Sequence, residues 1–148
     1  MSLVVDASVF VTSARTTEEN YATSRRFLSL AAAGGESVSA PILALPECAG
    51  AIGRLTGSHS KARRMVLLLK RIPALQFAPV SEELAEAAAE VAGICRLRGS
   101  DSCYVALAAD LGATLITWDG EMLERGAAVV TTQTPAQWLQ DQAGNGTG

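Results

Sequence analysis

The sequence predicts an α/β fold, a mainly parallel sheet covered by helices on both faces. Three observations predict it. Short β-branched segments alternate with longer segments of helical periodicity, the pattern of successive βαβ units. Hydrophobic residues make up 49% of 148 residues, enough for one sizeable core. No internal repeat and no linker divides the chain, so residues 1–140 read as one domain and residues 141–148 as a disordered tail.

Each element follows from local signals. Residues 2–6, SLVVD, are apolar and β-branched and read as a buried strand that ends on a carboxylate. Asp6 or Ser8 can cap a helix that follows. Residues 16–35 read as a helix, with Thr16 and Glu19 at capping-box spacing and Gly34 at C′. Residues 36–41 alternate and form a short strand. Residues 46–55 read as a helix with Pro46 at N1. Gly50 and Gly53 lower its propensity, so packing must hold it.

Residues 58–72 form a further helix, and residues 75–80 a strand that Pro79 closes. Residues 81–99 carry a full set of helix signals: Ser81 at the N-cap, acids in the first turn, Arg in the last and Gly99 beyond it. Residues 100–112 are a second capped helix, opened by Asp101 or Ser100 and closed by Gly112. A strand over 113–119, a short helix over 120–126, a last strand over 127–131 and helical turns over 135–140 complete the chain.

Composition removes several classes of function. No apolar run approaches the roughly 20 residues that cross a bilayer. The N-terminus lacks a signal-peptide pattern, because Asp6 interrupts it. Both points lead to an expectation of a cytoplasmic protein. Cys48, Cys95 and Cys103 are odd in number and lack CxxC spacing, and His59 is the single histidine. A disulfide framework and a zinc site are both disfavoured, and buried hydrophobic cysteines are expected instead. Net charge is −3, so no global basic field announces nucleic acid. Five basic residues nevertheless fall between Lys61 and Arg71. They form either a solvated helix face or a phosphate-binding patch.

The acids are placed where α/β sheets build sites, outside the carboxyl ends of strands. Asp6 and Asp119 each end a strand, Asp101 opens a helix, and Glu47 lies in the first turn of another. Each also has a plain structural role available, as a cap, a turn or a dipole partner. The helical wheel puts Glu47 nearly opposite Ala49, Ile52 and Leu55, which marks it as solvated. Asp110, about two and a half turns beyond Asp101, faces the other way and is assigned to the surface. If the other four converge, they cannot all stay ionised without a cation. A hard divalent ion, Mg²⁺ or Mn²⁺, is the natural counter-charge, and it suits phosphoryl transfer.

The segments VVDAS, PECAGAIGR, SDSCYVALAADLGATLITWD and VVTTQTPAQWL, in that order and spacing, resemble a PIN-domain ribonuclease. Within that family the chain is most similar to the VapC-type toxins of bacterial toxin–antitoxin pairs. The resemblance runs to about Leu139 and implies an α/β/α sandwich around a mostly parallel sheet of about five strands. It implies that Asp6, Glu47, Asp101 and Asp119 form an acidic quartet that binds Mg²⁺ or Mn²⁺, with Ser8 and Thr117 in support. It implies metal-dependent endonucleolytic cleavage of single-stranded RNA, an antitoxin partner and a homodimer. Glu121 is an additional candidate, and Trp118 is expected either to pack or to meet a base. Lys61, Arg63, Arg64 and Arg54 are candidates for RNA or antitoxin binding.

Receiver-type and haloacid-dehalogenase-type domains need acid pairs and a late lysine. Here the first strand is followed by Asp6-Ala7-Ser8, and the only lysines are Lys61 and Lys70. No GK[ST] loop exists, which removes a P-loop nucleotidase. The remaining alternative is a PIN-like RNA- or protein-binding module without catalysis.

Overall fold

The computed structural model describes residues 1–146. Five strands form one all-parallel sheet: β1 (Ser2–Val5), β2 (Ser37–Pro41), β3 (Leu75–Ala78), β4 (Thr114–Ile116) and β5 (Thr132–Gln133). Their spatial order is β3-β2-β1-β4-β5. The chain therefore winds outward from β1 to β3, crosses back, and winds outward again from β4 to β5. The point where it reverses lies between β1 and β4, in register Val5 to Ile116.

Among the described residues, eight helices cover the sheet: α1 (Ala7–Ser13), α2 (Tyr21–Ala33), α3 (Ala44–Thr56), α4 (His59–Lys70), α5 (Glu82–Cys95), α6 (Gly99–Leu111), α7 (Gly120–Gly126) and α8 (Pro135–Asn145). Right-handed crossovers put α1–α4 on one face and α5–α7 on the other. The packing agrees: α1 lies on α2 and α3, α3 on α4, α2 on α8, and α5 on α6. The three-layer α/β/α expectation holds, with every strand pair parallel. β1 is buried from Leu3 to Val5, and Phe10, Phe27, Leu69 and Leu115 are fully buried in the same core. Each such side chain contributes about 1.5–3 kcal/mol of burial. All three cysteines are free and buried, as expected. Among the described residues no helix is long and apolar enough to cross a membrane.

Several expected boundaries move, each for a local reason. The helix expected over 16–35 begins only at Tyr21, with Asn20 as an N-cap that makes no side-chain bond. Thr16 and Glu19 form no capping box. The chain there is a turn, pinned by the Arg15–Glu18 ion pair at 3.3 Å. The left-handed residue after that helix is Gly35 (φ 76°), and Gly34 keeps a right-handed backbone. The helix expected from Pro46 starts at Ala44, so Pro46 sits at N3, still inside the turn that needs no N–H acceptor. The helix expected over 81–99 stops at Cys95, because Arg96 turns left-handed (φ 55°) and Leu97 enters the core. Arg125 Nη1 donates to the Arg96 carbonyl at 2.7 Å and holds that turn.

The strand expected over 127–131 is a turn, because Val129 and Val130 N–H both bond back to the Gly126 carbonyl at 3.0 Å. The last strand is shifted to Thr132–Gln133. The expected disordered tail is helical through Asn145, and residues 147–148 lie outside the described residues. Two features extend α8. Thr134 and Gln137 form a reciprocal capping box, and Trp138 packs edge-on against Phe27 at 5.2 Å. Thr134→Ala removes that cap and is expected to cost about 1 kcal/mol. For a chain of this size that is a melting temperature lower by about 2–4 °C, read by calorimetry or circular dichroism.

Candidate active site

The site is built at the carboxyl ends of β1 and β4. The Asp6 N–H donates to the Ile116 carbonyl at 2.9 Å and continues the ladder one residue past the strand. The chain then leaves the sheet as α1, with Asp6 as its N-cap; Asp6 Oδ2 accepts from Ser8 N–H at 3.2 Å. The same oxygen accepts from the Thr117 hydroxyl at 2.9 Å. Thr117 is fully buried and accepts in turn from Asp119 N–H at 3.0 Å. Trp118 N–H donates to Ser8 Oγ at 3.1 Å. Two loops are thus sewn together around a carboxylate only 6% exposed. Burial pushes the Asp6 carboxyl up from its ordinary range, against the lowering effect of its bonds from Ser8 and Thr117.

Glu47 and Asp101 reach the same place from other elements. The buried side of α3 is Ala44, Cys48 and Ile52, whereas Ala49 is only partly buried. The wheel that marked Glu47 as solvated was therefore set out of phase. Glu47 is half-buried, and its Oε1 accepts from the Tyr104 hydroxyl at 2.7 Å. Burial raises its pKa, the Tyr104 bond lowers it, and the Asp6 charge raises it.

Asp101 lies in the first turn of α6, whose N-cap is Arg98. Neither Asp101 nor Ser100 caps that helix. The Asp101 carboxyl is pushed up to about 6, first by burial, then by the charges of Asp6, Asp119 and Glu47, against a lowering by Arg98. Asp6, Glu47 and Asp101 line one open cleft of about 450 Å³, shared with Ser8, Thr12 and Arg54. None of the three acids is in an ion pair among the described residues.

Asp119 is exposed and does not line the cleft. It caps α7, its Oδ1 accepting from Met122 N–H at 2.8 Å. Among the described residues, no three Asp, Glu, His or Cys side chains stand together closely enough to hold a metal ion. Asp6, Glu47 and Asp119 are each turned toward a protein donor. In chemistry, however, the set fits a hard divalent cation. It is all oxygen, and Asp6, Glu47 and Asp101 repel one another with no direct ion pair to a basic residue among the described residues.

The remaining candidates fall on both sides of expectation. Ser8 and Thr117 touch Asp6 directly or through its loop. Glu121 pairs with Arg125 at 2.6 Å on its own helix. Trp118 packs: its indole N–H donates to the buried Ser24 hydroxyl at 2.8 Å, which meets the Thr12 hydroxyl at 2.8 Å. Arg54 joins the acidic cleft. Lys61 and Arg64 edge a neighbouring groove floored by Ile52, Leu55 and Met65, and Arg63 faces outward beside Arg71. Asp110 is exposed, as expected. Tyr104 is the functional contact that sequence reading missed. Its only signal was its place three residues after Asp101, on the same helical face.

A family model described as the PIN domain matches residues 3–128. The chain belongs to the PIN-domain family. No curated protein matches it. Solved structures similar to this PIN domain include VapC20 of Mycobacterium tuberculosis, a Sarcin-Ricin loop cleaving toxin. It is 19% identical with a TM-score of 0.69, over 87% of this chain and 96% of that one. VapBC2 of Rickettsia felis, bound to a promoter DNA fragment, is 13% identical with a TM-score of 0.68, over 90% and 98%. FitAcB of Neisseria gonorrhoeae is 17% identical with a TM-score of 0.68, over 90% and 98%. At these identities the likeness concerns the fold of the PIN domain, and the chemistry must be argued from the residues.

The raised carboxyls give this PIN domain a pH signature. A carboxyl whose folded pKa lies above its ordinary value of 3.8 favours the fold while neutral. That contribution is full below 3.8 and is lost as pH rises through about 6. Half of Asp101 is open to solvent, so screening holds the effect to about 1 kcal/mol. In EDTA, wild type is expected to lose about 2–4 °C of melting temperature relative to Asp101→Asn between pH 4 and pH 7. Parallel melting curves for the two proteins would refute it.

Proposed function

We propose that this PIN domain is an endoribonuclease that cuts single-stranded RNA with Mg²⁺ or Mn²⁺, and that it serves as the toxin of a toxin–antitoxin pair. The observation that carries the reading is the convergence of Asp6, Glu47 and Asp101, from three separate elements, on one cleft without a neutralising ion pair. Asp6, Glu47, Asp101 and Asp119 would hold the ion, which supplies a polarised water and a clamp on phosphate oxygens. Thr117 and Ser8 fix Asp6 for this task through neutral donors, which orient the carboxylate and leave its charge intact. Arg54, on the same cleft, offers a guanidinium to a backbone phosphate. Lys61, Arg63 and Arg64 extend a basic surface along α4.

The partners follow from the same reading. VapC20 is a Sarcin-Ricin loop cleaving toxin, and a similar structure from Klebsiella pneumoniae is a toxin–antitoxin complex. For this chain an antitoxin that blocks the cleft is proposed on that likeness, and a second copy of the chain on the family resemblance alone.

The decisive experiment is cleavage of a mixed RNA pool. Asp6→Asn is expected to cut about 100-fold more slowly or worse, the upper end of what loss of a metal's supporting shell costs. EDTA is expected to abolish cutting and Mn²⁺ to restore it. Equal cutting by both proteins, or full activity in EDTA, overturns the reading. RNA binding without cutting by wild type would place the chain with the non-catalytic modules.

The basic surface is tested separately. In Lys61→Glu/Arg64→Glu, RNA affinity is expected to fall. The slope of log affinity against log salt is expected to flatten by about 0.7 per lost phosphate contact. Unchanged affinity and slope would make α4 an ordinary solvated face.

A further inference from the structure

One side-chain hydrogen bond at the site joins α6 to α3. Tyr104 and Asp101 stand three residues apart on α6 and share a face of that helix. Asp101 turns into the cleft, while the Tyr104 hydroxyl crosses to α3 and donates to Glu47 Oε1 at 2.7 Å. The tyrosine ring is completely buried, so its hydroxyl has little freedom to be elsewhere. Glu47 is the opposite case. It is a flexible side chain in a helix that carries Gly50 and Gly53, and the Asp6 charge presses against it. No ion pair restrains it among the described residues. The Ser100 side chain, at the start of α6, is a second and weaker hydrogen-bond partner of Glu47. Without such tethers, repulsion and solvation would both favour swinging Glu47 out toward water.

We infer that Tyr104 is a positioning residue: its hydroxyl holds the Glu47 carboxylate in the cleft against repulsion from Asp6. This role rests on the nuclease reading above, because it matters only if Glu47 serves the cleft. A hydroxyl suits the task better than a cation. Arg or Lys in its place would neutralise the negative charge that a divalent ion needs, whereas a neutral donor fixes the oxygen and leaves the charge. The ring packs as phenylalanine would, so packing alone does not call for the hydroxyl.

The test is Tyr104→Phe in the full chain, read by Mn²⁺ binding calorimetry, RNA cleavage kinetics and melting temperature. Mn²⁺ affinity is expected to fall about 10-fold. The kcat is expected to fall by a similar factor, with KM for RNA and the melting temperature nearly unchanged. Glu47→Gln is expected to lose at least as much. The double variant Tyr104→Phe/Glu47→Gln should then lose no more than Glu47→Gln, because the hydroxyl acts through Glu47. Tyr104→Phe with wild-type Mn²⁺ affinity and kcat overturns the role alone, and so do losses that multiply in the double variant. A wild type that neither binds Mn²⁺ nor cuts RNA overturns the nuclease reading and the role with it.

A spectroscopic readout does not depend on the phenylalanine variant folding. The chain has two tyrosines, so in Tyr21→Phe the Raman tyrosine doublet reports Tyr104 only. It is expected to show a strong donor, to change in Tyr21→Phe/Glu47→Ala, and to respond to Mn²⁺ with the midpoint of Mn²⁺ binding. A doublet indifferent to both overturns the role.

Discussion

A carboxylate buried at the reversal point of a parallel sheet is the constraint around which the rest is arranged. Asp6 is 6% exposed, and an ionised carboxylate there is costly unless it accepts hydrogen bonds. The donors come from its own helix, through Ser8 N–H, and from the residue after β4, through the Thr117 hydroxyl. The second donor is available only if β4 lies directly beside β1, in the register Val5 to Ile116. Strand order and site geometry are therefore one requirement. The chain winds out through β2 and β3 and must return to the other side of β1 to bring Thr117 to Asp6. The same return opens the crevice where parallel sheets take ligands.

The partners given to the acids share a property. Asp6 receives a threonine hydroxyl and a backbone N–H, Glu47 a tyrosine hydroxyl, and Asp119 a backbone N–H. All are neutral donors. Each fixes an oxygen without cancelling a charge, so the cleft keeps its electrostatic demand for a cation. An upward push on Asp6, Glu47 and Asp101 comes first from burial, and for Glu47 and Asp101 also from the neighbouring acid charges. It is a local destabilisation of the kind functional sites carry, offset by a core in which β1 and the residues around it are sealed.

Much of this was legible in the sequence because it depends on local pattern. β-branched strands against capped helices gave away the sheet and its parallel connections. Asp6 and Asp119 were singled out because strand ends are marked by where apolar runs stop, whereas the supporting roles of Ser8 and Thr117 came from the family resemblance. What was misjudged depends on tertiary phase. Glu47 looked solvated because Ala49 was counted as part of the buried face, yet α3 buries Ala44, Cys48 and Ile52. A hydrophobic wheel cannot see that a half-buried helix has lent its flank to a site. The capping box expected at Thr16 lost to a turn held by Arg15 and Glu18. The valines at 129 and 130 have strand propensity but are spent closing the turn after α7. The tail was expected to be disordered as a chain terminus, and Trp138 meeting Phe27 from α2 is what sequence separation concealed.

Fold likeness and site chemistry carry different weight. Structures 13–19% identical retain this fold at TM-scores of 0.68–0.69, so the backbone arrangement tolerates nearly complete replacement of side chains. What the fold conserves by geometry is a place, the reversal point between β1 and β4, and not an activity. The activity must be read from the side chains that occupy that place. Here they are three carboxylates facing one cleft, neutral donors behind them, and Arg54 at the opening. That combination separates two jobs. On the proposed nuclease reading, the acids would repel a polyanion and invite a divalent ion, and the arginine would meet the polyanion once the ion had lowered the repulsion. RNA recognition should accordingly sit at the margin of the cleft, on α3 and the basic face of α4. The cleft floor would be left to do chemistry that is indifferent to base identity.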